Sequence, residues 1–324
     1  MIAGLRSWCA ATAAITTLLN APPVAADAAP YRIGVITEAW AANHPASEGL
    51  KEGLRELGLV EGRDVVFDIH FTKGKSEATA EAAAALVKAE VNLIFTSGEA
   101  AVLAAKKATA RLPIVFTLVG DPVAVGIVNT LAYPGGNITG VTSRVPELAP
   151  KRLEILKTLA PEIRRVWFIY YAGDVTDTAA LGNMQDAARR LGVEVLGRPV
   201  NDASQLNQIF KDFRRGDAYL APSSDTLDIP VAIHEAANAS RAPTIFQSAI
   251  WVSHGAVVSY GPDFRAQGVQ AARLVAKIIR GAKPQDVPVE GAEHIHVGLN
   301  LKSASQLGLP VPAKLLFRAN IVQR

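Results

Sequence analysis

From Tyr31 onward, short β-branched runs alternate with longer Ala-rich stretches whose apolar residues recur at helical spacing. That alternation predicts parallel sheets with crossover helices. Strands are expected at Arg32–Thr37, Asp64–His70, Val91–Ser97, Ile114–Thr117 and Ile138–Thr142, with helices over Ala46–Leu57, Ser76–Glu90 and Ala100–Ala110 between them. Gly58 and Pro113 punctuate the ends of the first and third helices.

The same order then returns. Strand Val166–Tyr171 precedes helix Leu181–Leu191, strand Val193–Val200, helix Ser204–Arg214 and strand Asp217–Pro222. Helix Ile229–Arg241 and strands Thr244–Gln247 and Ala256–Tyr260 complete the second set. Three segments pair between the halves at a nearly constant offset of about 130 residues, among them Pro113-Ile114-Val115-Phe116 with Pro243-Thr244-Ile245-Phe246. Two copies of one α/β lobe are implied.

A long amphipathic helix over Arg265–Ile279, a strand at His296–Leu299 and a helix at Leu301–Leu307 remain after both copies are complete. The simplest use of a leftover helix and strand is one for each lobe, so the chain is expected to cross between lobes near Thr142, Tyr260 and Pro288. The expected lobes are residues 31–142 with 261–288, and 143–260 with 289–324.

Composition changes this picture at the N-terminus. Arg6, the apolar run Trp8–Leu19, Pro22-Pro23 and Val24-Ala25-Ala26 follow the order of a cleavable secretory signal, expected to span residues 1–26. The single cysteine, Cys9, lies inside it, which removes disulfides, thiolate metal sites and cysteine nucleophiles from the exported chain. A formal charge of +3 without a Lys/Arg stripe argues against nucleic acid as a partner.

Ligands of open α/β sheets bind beyond the carboxyl ends of the strands. In the first lobe those ends carry Thr37, Glu38 and Trp40, then Ser97, Gly98 and Glu99, then Gly120 and Asp121, with Thr142 at the first crossing. In the second they carry Tyr170 and Tyr171, then Ser223, Ser224 and Asp225, then Gln247. Thr96-Ser97-Gly98-Glu99 opens a helix, where free N–H groups suit a ligand carboxylate or an ordinary cap. Trp40, Tyr170 and Tyr171 are offered either as a stacking wall or as packing residues, and alternation along a strand keeps the two tyrosines from pointing the same way. Asp121 fits a ligand role or its own Gly-Asp-Pro turn.

No nucleophile elbow, phosphate-cradling glycine loop or helical His pair occurs. His294 and His296 share a strand face but lack a third ligand, so neither a metal nor a cofactor is expected. His44, His70, His234 and His254 read as structural or surface residues.

Several segments together carry a resemblance. They are Ile33-Gly34-Val35-Ile36 with His44-Pro45, Gly120-Asp121-Pro122-Val123, Ala132 through Thr142 (AYPGGNITGVT), and Leu299-Asn300-Leu301-Lys302 followed by Leu307 through Pro312 and Leu315 through Ala319. In these the chain resembles ABC transporter substrate-binding proteins related to tryptophan- and tyrosine-binding proteins. The resemblance implies a type 1 periplasmic binding protein fold, with two Rossmann-like lobes of parallel sheet joined by a three-segment hinge. It also implies delivery of a solute to an inner-membrane permease by a periplasmic monomer, without fixing the ligand. The polar helix starts and strand-end aromatics point to a small organic solute, an amino acid or an aromatic or other carboxylate, and would also suit a urea-like, nucleoside or sugar solute. The lipid-attachment cysteine of the Gram-positive members is missing. Two other readings stay open: an exported enzyme with Asp121 or Glu38 as general base, and a sensor that docks on a membrane receptor.

Overall fold

The computed structural model describes residues 29–38, 44–73, 75–223 and 229–324. The expected signal segment, Cys9, Trp40, Ser224 and Asp225 lie outside the described residues. In the first half β1 (Tyr31–Thr37), α1 (Pro45–Glu56), β2 (Val65–Phe71), α2 (Ser76–Lys88), β3 (Leu93–Ser97), α3 (Glu99–Ala108), β4 (Ile114–Val119) and β5 (Ile138–Thr142) follow one another. The second half runs α4 (Val145–Leu159), β6 (Arg165–Tyr171), α5 (Val175–Leu191), β7 (Glu194–Val200), α6 (Leu206–Phe210) and β8 (Asp217–Leu220). It continues with α7 (Ile229–Ser240), β9 (Thr244–Phe246), α8 (Ile250–Ser253) and β10 (Val258–Pro262). The tail consists of α9 (Phe264–Ile279), β11 (Glu290–Gly291), β12 (Ile295–Asn300), α10 (Leu301–Gln306), α11 (Ala313–Phe317) and β13 (Ile321–Gln323).

These strands form two sheets. The first has the order β11-β5-β4-β3-β1-β2 and is parallel throughout. The second has the order β13-β12-β10-β9-β8-β6-β7, with β12 antiparallel to β10. Each sheet is covered on both faces, which is why β3 and β5 are buried along their whole length. Residues of α1 and α9 form one core on the first sheet, and residues of α2 and α3 form the other. On the second sheet α4 and α5 cover one face, and α6 and α7 the opposite one.

The chain passes between the sheets three times: from β5 into α4, from β10 into α9, and from β11 into β12. Glu290-Gly291, assigned from the sequence to the second lobe, instead pair with Val141-Thr142, because a parallel strand there completes the open edge of the first sheet. Likewise Gly261-Pro262 extend β10 of the second sheet by pairing with His296 and Ile295.

Helix α4 is absent from the sequence reading because Pro146 and Pro150 disguise it. Pro146 sits in the first turn, where its missing N–H costs nothing. Pro150 deprives the Pro146 carbonyl of its usual donor, and Asn183 Nδ2 of α5 supplies the bond instead at 3.0 Å. The helix expected over Ser204–Arg214 is only a 3-10 turn at Ala203–Gln205 and the five residues of α6.

Candidate functional site

The carboxyl ends of β1, β3 and β4 meet those of β6 and β8. A close approach is made by Gly120, after β4, and Thr176, in the first turn of α5. A Cβ added to Gly120 would stand 2.5 Å from Thr176 Cγ2 and 3.3 Å from the Val145 side chain. Only a residue without a side chain lets the two strand-end loops come so close.

Gly120 is held there by an unusual backbone. Leu118 has φ +60 at a bulge where the β4–β5 register shifts. Its N–H donates to Gln267 Oε1 of α9 at 3.2 Å, and Gln267 Nε2 donates to Ser143 Oγ at 3.2 Å. The buried Gln267 therefore ties the end of β4 to the first crossing. Thr142, also buried, donates to the Val119 and Gly120 carbonyls at 2.9 and 3.1 Å, so its hydroxyl serves the same junction.

The α3 N-terminus carries a carboxylate of the protein itself. Glu38 Oε1 accepts the Ala101 N–H at 3.0 Å, and it lies 2.2 Å from where a Gly98 Cβ would be. Gly98, at φ +110, is thus required both by its backbone and by the carboxylate beside it. At this helix start, read from the sequence as suited to a ligand carboxylate or a cap, the protein's own Glu38 takes the Ala101 N–H. Ser97 Oγ, buried, is 3.4 Å from His44 Nδ1. That nitrogen also accepts the Ala46 N–H at 3.3 Å as the cap of α1, and the ring stacks 6.2 Å from Phe264. Burial lowers the His44 pKa to about 4, so the ring is neutral at neutral pH. Thr37 ends β1, buried, and its carbonyl accepts the Thr72 N–H at 2.9 Å.

On the facing side, Asp174 caps α5 by accepting the Asp177 N–H at 2.8 Å. Asp177, fully buried, accepts Ser223 Oγ–H at 2.7 Å and Ser223 N–H at 3.0 Å. Gln247 Nε2 donates to the Ser223 carbonyl at 2.5 Å. Ser223 and Gln247, both read from the sequence, bond each other directly, and Ser223 is held in turn by Asp177, which sequence reasoning missed. The missed signal was the pair Asp174 and Asp177 in cap and third helical position; helix α5 begins at Val175, six residues before the expected Leu181. Burial raises the Asp177 pKa to about 6, with Asp174 adding to it, while the Ser223 bonds and Arg152 oppose the rise.

Arg152 of α4 is buried under this side. It donates to the Val145 and Ala221 carbonyls at 3.3 and 3.5 Å, and its Nε has no partner. Burial lowers its pKa to about 10. Glu99, half-buried in the first turn of α3, has its pKa raised to about 7 by desolvation and then by the charges of Asp174, Glu38, Asp177 and Asp121. Asp121 itself accepts the Val123 and Ala124 N–H groups at 3.2 and 3.0 Å, which is its turn role.

The two tyrosines diverge as strand alternation requires. Tyr170 is buried in the α4–α5 core and stacks 5.3 Å from Phe168, so it is a packing residue. Tyr171, half-buried, packs against the opposite core.

A family model described as ABC transporter substrate binding protein matches residues 35–323. The chain belongs to this family. Among its relatives is a tyrosine-binding protein of Clostridioides difficile (strain R20291), 26% identical over 264 residues, covering 79% of this chain and 76% of the relative. An ABC domain from Streptococcus pneumonia, solved in complex with L-Trp, matches with a TM-score of 0.82 and 24% identity, over 90% of this chain and 99% of that one. A conserved domain protein from Vibrio cholerae matches at 0.80 and 25%, with the same coverage. The two-sheet architecture of this substrate-binding chain is accordingly the type 1 periplasmic binding protein fold.

Proposed function

We propose that this chain is the solute-capturing component of an ABC importer, closing two lobes on a small organic solute of amino-acid size and presenting it to an inner-membrane permease. The lobes of this reading are residues 31–142 with 264–291 and residues 145–262 with 295–323, built on the two sheets. The observation that carries it is the meeting of Gly120 with Thr176, which brings polar strand-end residues of both sheets around one gap.

The tyrosine-binding relative and the L-Trp complex support a ligand of amino-acid size. Periplasmic residence rests on the order of charge, apolar run and small residues in positions 6–26. Delivery to a permease needs one copy only. The enzyme reading loses support from the site itself: Glu38 and Asp121, its candidate bases, are committed to backbone N–H groups.

A thermal-shift screen of the chain against amino acids, amines, organic acids, sugars and nucleosides tests this reading. A ligand at about 100 times its Kd adds about 2.7 kcal/mol to apparent stability. The expected result is a solute that raises the melting temperature and is recovered chemically unchanged; a solute converted on incubation would sink the transport reading.

A further inference from the structure

Among the described residues, five carboxylates come from both sides of one gap. Glu38, Glu99 and Asp121 belong to the first sheet's loops, and Asp174 and Asp177 to the first turn of α5. Four of the five have donors: Glu38 takes the Ala101 N–H, Asp121 its own turn, Asp174 the Asp177 N–H, and Asp177 the Ser223 hydroxyl and N–H. Glu99 has neither a hydrogen bond nor an ion pair among the described residues. Every charge acting on it is negative.

Thr176, whose methyl faces Gly120 across the gap, carries a second polar group that is unpartnered among the described residues. Thr176 Oγ1 is buried, with 2% of the residue exposed, and makes no hydrogen bond. Thr176 stands between Asp174 and Asp177 and touches the Gly120 position across the gap. A buried hydroxyl without a partner is costly, and the half-buried Glu99 carboxylate likewise has no donor among the described residues. The N-termini of α3 and α5, where a ligand carboxylate would find N–H groups, both already hold protein carboxylates.

We propose that this gap selects a ligand with net positive charge, an organic amine or a basic amino acid, whose ammonium donates to Glu99 and to Thr176 Oγ1. A neutral zwitterion's carboxylate cancels the charge its ammonium brings, and an organic acid brings only repulsion. Arg152 offsets part of the Asp177 charge, but it is not among the charges that act on Glu99. The inference rests on the cleft being the solute site, and it adds the ligand's charge to that reading.

Titration calorimetry of the full chain at pH 8 with one skeleton in three charge states separates the possibilities: tyramine, L-tyrosine and 3-(4-hydroxyphenyl)propionate, with agmatine and L-glutamate as a second pair. At least one amine is expected to bind about tenfold or more tightly than its zwitterionic or anionic counterpart. Its affinity should fall as salt is raised, and again by about tenfold in Glu99→Gln, whose melting temperature serves as the folding control. Thr176→Val should weaken the amine as well. Tyrosine or the propionate binding as tightly as the amine, silence from both amines, or Glu99→Gln leaving amine affinity unchanged would overturn the charge inference. A neutral or anionic hit in the thermal-shift screen would do so while leaving the binding-protein reading in place.

Discussion

Gly120 and Thr176 belong to different sheets, yet a Cβ on the glycine would stand 2.5 Å from the threonine Cγ2. Gly120 is not in the left-handed region, so a side chain there strains the contact rather than the backbone. Gly120→Val should hold the two loops apart. An overpacked contact costs roughly 1–3 kcal/mol, which corresponds to a loss of about fivefold to 150-fold in solute affinity. The loss should appear with little change in melting temperature of the unliganded chain, because the loops can separate. Full affinity in Gly120→Val would mean that these loops need not meet for binding.

Glu99 makes the unliganded protein less stable as pH rises. Its folded pKa, about 7, lies above the ordinary carboxylate value, so between about 4.5 and 7 the folded state holds the proton and the unfolded state does not. Stability therefore declines across that window, and Asp177, raised to about 6, acts in the same direction. Glu99→Gln should flatten part of the decline and raise the melting temperature at pH 8. The check is melting temperature against pH for both proteins; parallel curves would refute it.

His44 acts with the opposite sign. Its folded pKa, about 4, lies below the unfolded value near 6.5, so the unfolded state binds the proton first. The stability it contributes is complete above about 6.5 and is lost as pH falls toward 4. His44→Asn keeps a capping side chain for α1 and removes the titration. Its melting curve should converge with the wild-type curve, or cross it, below pH 6; a constant separation at all pH values would exclude this role.

Asp217 offers a control far from the cleft. At the start of β8 it is buried and accepts from Arg165 Nε at 2.8 Å, Trp167 Nε1 at 2.8 Å and the Arg214 N–H at 3.0 Å. Asp217→Ala leaves a buried indole donor and a half-covered guanidinium unpaired, at a cost of about 3 kcal/mol. The urea midpoint should fall accordingly while solute affinity stays the same. A variant that loses affinity as well would show the two ends of the second sheet to be coupled.

The sheet framework was legible because it is written in local pattern. The strand expected at Ile138–Thr142 is β5 to the residue, and β1 to β4 differ from expectation at their ends by two residues or fewer, whereas β11 was not read. What was not legible depended on partners distant in sequence. Helix α4 tolerates Pro150 because Asn183 of another helix replaces the missing donor. The α3 N-terminus looks like an open anion site in the sequence, yet Glu38, from a different strand end, takes its Ala101 N–H. Asp177 gains its meaning from Ser223, Thr176 from Gly120 and His44 from Phe264, contacts that no local spacing announces.

The most direct test of lobe closure on a solute is a crystal structure of the chain with the solute that emerges from the screen. The solute is expected between the first turns of α3 and α5, in contact with Glu99 on one side and Thr176 or Asp177 on the other. A solute bound to one lobe alone, or lodged outside the gap in the shallow groove between α1 and α9 lined by Leu57 and Val269, would contradict the account.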